Sequence, residues 1–317
     1  MSHTTFEELY IQFTSRLRNQ KFDEALSFVD DLLDIANNNQ REVFYTLMGK
    51  ATALTNKNKT SEVISCYDEI IDRFNDSDDK EVTKYLSYAY YNKALIYAKL
   101  KDYSSELKIY ETLIQRFMED TSLEIELVLA KSYINKAICV SELKSLDDAI
   151  KTYKEFMQNF KYSIENSVLQ QLVLGAYNCA LLETKKGRTQ DAIKTYSYII
   201  ENFSNSVDEY IMEFVAKSMI NKASRLRDID SLYEAIDTYD ELVKRFENIK
   251  GELQKEVAFA LHNKSIILSE LQKEKELMNV CDKIIEKFSN NSDETIIDIV
   301  LNAEVTKDKE KFNTASF

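Results

Sequence analysis

A period of 43 residues constrains this chain more than anything else in it. Residues 91–117 read YNKALIYAKLKDYSSELKIYETLIQRF, and residues 134–160 read INKAICVSELKSLDDAIKTYKEFMQNF. Kindred segments start at 48, 177, 220 and 262. Successive starts at 48, 91, 134, 177, 220 and 262 therefore differ by 43, 43, 43, 43 and 42 residues. Repetition at this spacing marks units that cannot bury their apolar side alone and do so by stacking on one another.

The unit is helical. Among 317 residues there is no proline and only four glycines, so the residues that punctuate turns and strand ends are scarce. Apolar residues recur at helical spacing in Ala149, Ile150, Tyr153, Phe156, Met157 and Phe160, and again in Ala192, Ile193, Tyr196, Ile199, Ile200 and Phe203. Each copy predicts a long helix A, for example about Leu123 to Leu143, and a helix B, about Leu146 to Phe160. Polar connections join them, and capping boxes at Thr121…Glu124, Ser206…Glu209 and Asp78…Glu81 predict the starts of A helices. A Tyr at 67, 110, 153, 196 and 239 and a Phe at 74, 117, 160, 203, 246 and 288 are predicted to form the seam between units.

The pattern Ala89-Tyr-Tyr-Asn-Lys-Ala, Tyr97, Lys101-Asp-Tyr103, Tyr110 resembles the tetratricopeptide repeat in order and spacing. Small residues where its helices cross correspond to Ala94, Ala137, Ala180, Ala223 and Ser265; those early in helix B correspond to Ala149, Ala192 and Ala235, with Val63, Glu106 and Leu277 departing. The resemblance implies an all-α, right-handed α-solenoid over residues 1–317. It would comprise an N-terminal hairpin at 5–36, repeats at 41–75, 80–118, 121–161, 164–204, 207–247 and 250–289, and a capping helix at 292–312. That makes about seven antiparallel pairs. The family's period is 34, and the extra residues here fall mostly at the start of helix A, so longer A helices are expected. In the last helix Ile296, Ile297, Val300 and Leu301 read as the buried stripe, and Asn313 to Phe317 as frayed.

One polar residue is phased with the repeat: Asn92, Asn135, Asn178, Asn221 and Asn263. Asparagine is a mediocre helix former, so its recurrence needs a cause. Each amide either bridges to a neighbouring unit and fixes stacking, or pairs with the backbone of an extended peptide, as asparagines at this place do in some relatives; the two are compatible. An amide offers both donor and acceptor. By the resemblance, the concave wall would also carry Tyr88, Tyr91, Lys99, Lys131, Ile134, Ile138, Tyr177, Lys185, Lys217, Ser224, Arg227, Phe259, His262 and Ile266. A carboxylate clamp for chaperone tails is not expected, because Tyr91, Leu95, Ile134 and Ile138 stand where it needs Lys, Arg or Asn. Glu183, Arg225 and Arg227 interrupt the pattern, and Glu183 with Arg225 reads as a structural ion pair on successive A helices.

No catalytic constellation is present. His3 and His262 cannot supply a metal cluster, Met48-Gly49-Lys50 lies inside a helix rather than a phosphate loop, and Asp76-Ser77-Asp78-Asp79 reads as a helix cap. Gly187 reads as the turn between two helices. Cys66, Cys139, Cys179 and Cys281 read as reduced packing residues. The net charge, 41 − 54 = −13, disfavours nucleic acid and anionic lipid. The first residues show no secretory leader, and a cytoplasmic place is expected. The expected function is a non-enzymatic scaffold or adaptor, without cofactor or metal, that binds another protein as an extended peptide or partner helix. The alternative is a regulatory receptor whose superhelix closes on a short peptide or small ligand to control a separate protein.

Overall fold

The computed structural model describes residues 5–120, 122–249, 251 and 253–315, with side chains as far as Lys309. Every regular element among the described residues is an α-helix. In chain order these are α1 (Phe6–Arg18), α2 (Phe22–Leu26), α3 (Val29–Ala36), α4 (Gln40–Asn56), α5 (Thr60–Phe74), α6 (Lys80–Leu100), α7 (Tyr103–Phe117) and α8 (Leu123–Leu143). Then follow α9 (Leu146–Phe160), α10 (Asn166–Lys185), α11 (Thr189–Phe203), α12 (Glu209–Asp228), α13 (Leu232–Phe246), α14 (Leu253–Glu270), α15 (Glu274–Phe288) and α16 (Glu294–Ala315). The chain divides into two compact units, one reaching to Thr152 and one starting at Tyr153.

In the first unit α4, α6 and α8 are A helices, and α5 and α7 are B helices; α4 touches α6, and α6 touches α8. In the second unit α10, α12, α14 and α16 form the corresponding row, with α11, α13 and α15 behind it. The extra length of the repeat lies in the A helices, as expected. B helices have 15 residues each, whereas α6 and α8 have 21 and α10 and α12 have 20.

The seam is aromatic. The phased tyrosines and the closing phenylalanines are all buried, and Phe44 of α4 meets Phe74 of α5 edge-on at 5.1 Å. Ala94, Ala137, Ala180 and Ala223 have no exposed surface, because a larger side chain would hold the crossing helices apart. Gly49 serves the same end in α4: a Cβ there would come within 2.4 Å of Phe13 of α1. All four cysteines are buried and free of disulfides.

With almost no glycine, five of the seven turns from A to B use other residues in the left-handed conformation. Gln20, Asn58, Lys101, Asp230 and Gln272 have φ of 58, 55, 59, 62 and 56°, and Gly187 has 68°; the turn from α8 to α9 departs, Lys144 having φ of −120°. Each of the six left-handed turns closes the same way, with the next N–H donating to a carbonyl five residues back, as in Arg188 N to Glu183 O (2.9 Å) and Lys273 N to Leu268 O (2.9 Å). These bonds satisfy carbonyls that a helix end leaves free.

Four local expectations need correction. The caps of α6 and α12 are Asp79 and Asp208, whose carboxylates accept from Val82 N (3.3 Å) and Ile211 N (3.0 Å). Ser77 and Ser206 sit two residues earlier and accept from the cap's own N–H, so the start is shifted from Asp78 and Ser206 to a better acceptor. Thr121, the third expected cap, lies outside the described residues, as does His3. The B helix of the N-terminal hairpin is broken into α2 and α3, where Phe28 N bonds to Ala25 O (3.1 Å) in a tighter turn. In α16 the buried face is Ile296, Ile299, Val300 and Ala303; Ile297 and Leu301 are exposed, and the helix runs on through Ala315 rather than ending at residue 312, with residues 316 and 317 outside the described residues.

Candidate functional site

The A helices carry one face in common register. Residues spaced four and three apart share a helix face, which places Tyr88, Asn92, Leu95 and Lys99 in line on α6, and Lys131, Asn135 and Ile138 on α8. In the second unit the same register gives Asn178, Leu181 and Lys185 on α10, Lys217, Asn221 and Ser224 on α12, and Asn263, Ile266 and Glu270 on α14. The expected site residues Asn92, Asn135, Asn178, Asn221, Asn263, Tyr88, Tyr91, Lys131, Tyr177, Lys217 and His262 are all half-buried, and Arg227 is exposed.

The asparagine amides are engaged within the fold. Asn135 Nδ2 donates to the hydroxyls of Tyr91 (3.2 Å) and Tyr110 (3.1 Å), tying α8 to both helices of the preceding pair. Asn221 Nδ2 donates to Tyr177 (2.8 Å). Asn92, Asn178 and Asn263 stand beside the hydroxyls of Tyr67, Tyr153 and Tyr239 and draw their pKa downward. Burial nevertheless pushes the Tyr67, Tyr153 and Tyr239 hydroxyls up to about 12, so each remains a neutral phenol. Among the described residues, the carbonyl oxygens of Asn135 and Asn221 accept no hydrogen bond, which leaves an acceptor on each.

The charged candidates are mostly paired. Arg227 forks onto Glu270, with Nε 3.2 Å from the carboxylate, and so joins α12 to α14. Lys217 pairs with Glu213 of its own helix and lies over the Phe214 ring at 5.6 Å. The expected pair of Glu183 with Arg225 does not form. Glu183 meets Lys154 (2.7 Å) and Thr195 (2.7 Å), while Arg225 turns to Asp228 (3.1 Å). Ile134, expected on the wall, is buried in the seam instead. His262 borders an open cavity, where burial pushes its imidazole below the ordinary value.

Sequence reasoning passed over two aromatic clusters, one in each unit, each centred seven residues before a ladder asparagine. Tyr85 stands seven before Asn92, 5.7 Å from Tyr45 and 6.1 Å from Tyr88. Phe214 stands seven before Asn221, 5.2 Å from Tyr177 and 5.0 Å from Tyr210. Extending the register by two turns toward the helix start would have found both. Among the described residues no group of His, Cys, Asp and Glu is placed to hold a metal ion, and no helix is long and apolar enough to cross a membrane.

The fold has counterparts among solved structures. The apo form of RapI aligns over 94% of this chain and 85% of its own at 12% identity and a TM-score of 0.56. The fold is a tetratricopeptide-like helical repeat. BtubC from P. vanneervenii aligns over 74% of this chain and 93% of its own, at 15% identity and a TM-score of 0.51. A tetratricopeptide repeat protein from Parabacteroides merdae aligns over 94% and 98%, at 13% and 0.46. No family model and no curated protein matches the sequence. The tetratricopeptide-like likeness is one of architecture, reached through a 43-residue unit with longer A helices.

Proposed function

We propose that this chain is a non-enzymatic scaffold that binds an extended peptide or partner helix against its A-helix faces. One observation carries the reading. Leu95 and Ile138 in the first unit, 43 residues apart, are 38% and 48% exposed, and Leu181 in the second unit, 43 further on, is 41% exposed. Single apolar residues on a surface need no explanation. These stand three residues after a ladder asparagine, as does Ile266, while Ser224 breaks the series; a position apolar in four repeats of five is more than an accident of one turn.

The asparagines fit this reading in a reduced role. Their nitrogens hold the fold, and the carbonyl oxygens of Asn135 and Asn221 remain to accept a backbone N–H. Tyr88, Tyr91, Lys131, Tyr177 and Lys217 would border the contact with aromatic surface and positive charge.

Peptides selected from a random display library against the purified protein test the idea. A variant carrying Leu95→Asp, Ile138→Asp and Leu181→Asp should lose binding by at least about tenfold, with helicity unchanged. Undiminished binding by that variant would overturn the proposal.

A further inference from the structure

In the first unit Tyr91, Tyr110 and Asn135 form a triad that fills the space between one helix pair and the next A helix. Counting the same register into the last repeat, Tyr91 corresponds to His262, Tyr110 to Cys281 and Asn135 to Thr306. Cys281 is the one break in the tyrosine series 67, 110, 153, 196 and 239. The first two replacements are smaller, and the third is of about the same size.

Between α14, α15 and α16 lies a cavity of about 470 Å³, within the roughly 300–1,000 Å³ range of small-molecule sites. Leu277 and Ile284, which flank Cys281 on one face of α15, give it an apolar floor, and His262, Ser265, Ser269 and Thr306 give it polar walls. The Ser265 and Thr306 hydroxyls donate to carbonyls of their own helices (2.7 and 2.8 Å) and keep lone pairs for an incoming donor.

We infer that this cavity is a socket for the aromatic side chain of a bound peptide, tyrosine above all. The inference rests on the peptide-binding reading and adds an anchor to it. The occupant follows from the molecule's own chemistry: at the earlier joints a phenol ring packs against the B helix and meets a hydrogen-bonding side chain of the next A helix. Here Leu277 and Ile284 supply an apolar floor and His262 and Thr306 supply polar groups, while the chain's own phenol is absent. A tyrosine side chain presents an apolar ring to Leu277 and Ile284 and a hydroxyl to His262 and Thr306. A neutral imidazole can donate to it or accept from it.

The test uses N-acetyl-tyrosinamide, N-acetyl-leucinamide and the peptide acetyl-Ala-Ala-Tyr-Ala-Ala-amide, titrated into the full chain and followed by methyl NMR of Ile266 and Ile284. The tyrosinamide should give saturable shifts at those methyls and the leucinamide none, and the peptide should bind more tightly than the amide. Cys281→Tyr, which restores the internal ring, should weaken both responses by at least about tenfold. Ser269→Trp, at the exposed rim, should do the same if Cys281→Tyr fails to fold. Absent shifts, or shifts unchanged in the variants, would overturn the socket. An amide that binds as tightly as the peptide would overturn the peptide form of the proposal. Library peptides that bind through Leu95, Ile138 and Leu181 while tyrosinamide does not would sink the socket and leave the wall standing.

Discussion

Lys154 Nζ lies 2.7 Å from Oε1 of Glu183, a carboxylate with no exposed surface. Thr195 Oγ1 donates to the other oxygen at 2.7 Å. Removing the cation leaves a charge in the seam between α9 and α10 with one neutral partner. Breaking a buried pair in this way costs about 3–5 kcal/mol, and the half-exposed lysine puts this case toward the lower end. Lys154→Met should therefore lower the urea midpoint clearly more than Glu183→Gln, which keeps a hydrogen bond to Thr195. Equal losses would show that the ion pair is incidental.

Glu106 provides a pH dependence. It occupies the small-residue position early in α7 and is 4% exposed, with the Cys139 thiol, which donates to Tyr103 O (3.0 Å), beside its carboxyl. Burial pushes that carboxyl up from 4.5 to about 7, against a smaller downward pull from the thiol. A carboxyl raised in the fold binds its proton more tightly there than in the unfolded chain. Its contribution is fully present below about 4.5 and is lost as the pH rises through about 7. Stability attributable to Glu106 should fall by about 3 kcal/mol across that window and stay level above it. Glu106→Gln should remove this slope and be the more stable protein at pH 8. Parallel pH profiles for the two proteins, from urea unfolding, would refute the assignment.

Asn135 tests the meaning of the ladder. Its amide spans two hydroxyls, and Tyr110 is fully buried. Asn135→Ala should cost about 1–3 kcal/mol, since it strands buried polar groups. Tyr110→Phe should cost about 0.5–1.5 kcal/mol. Combined, the two should cost less than their sum, because the second change removes a bond already lost. Strict additivity in thermal or urea unfolding would mean that the amide does not act through Tyr110.

The helices were legible because the period is long and repeated; Leu123–Leu143 and Leu146–Phe160 emerge with the bounds expected. The cap at Asp79 was missed by one residue because Asp78 and Asp79 are chemically alike, and only backbone geometry chooses between them. Ion pairing was harder to read. Lys93 pairs with Asp68, and Lys264 with Asp240 at 2.5 Å, yet the same two positions hold Cys179 and Lys154. Lys154 stands in the acid's own place and, with Cys179 where the lysine would be, turns to Glu183. Comparing the two positions together, rather than Glu183 with its nearest arginine, exposes the change. The ladder was legible as a pattern and ambiguous as chemistry: spacing shows that asparagine recurs, whereas the choice between partner and tyrosine depends on where the hydroxyls of Tyr91 and Tyr110 come to rest.

The turns give the last prediction. Lys101 holds φ of 59° while its successor, Asp102, donates to Tyr97 O (3.0 Å) and accepts from Ser105 N (3.1 Å). The left-handed conformation costs a residue with a Cβ roughly 1–2 kcal/mol, whereas glycine enters it freely and loses about 0.5–1 kcal/mol through its extra freedom when unfolded. Lys101→Gly should therefore stabilise by about 0.5–1 kcal/mol, and the same change at Gln272, where φ is 56°, should do likewise. The reverse change discriminates strain from packing. Nothing lies within 4 Å of a Cβ built on Gly187, whose φ is 68°, so Gly187→Ala meets only the backbone penalty and should destabilise by about 1 kcal/mol. A gain on Gly187→Ala, or a loss on Lys101→Gly, measured by urea unfolding, would show that these turns are set by something other than the handedness of their left-handed residue.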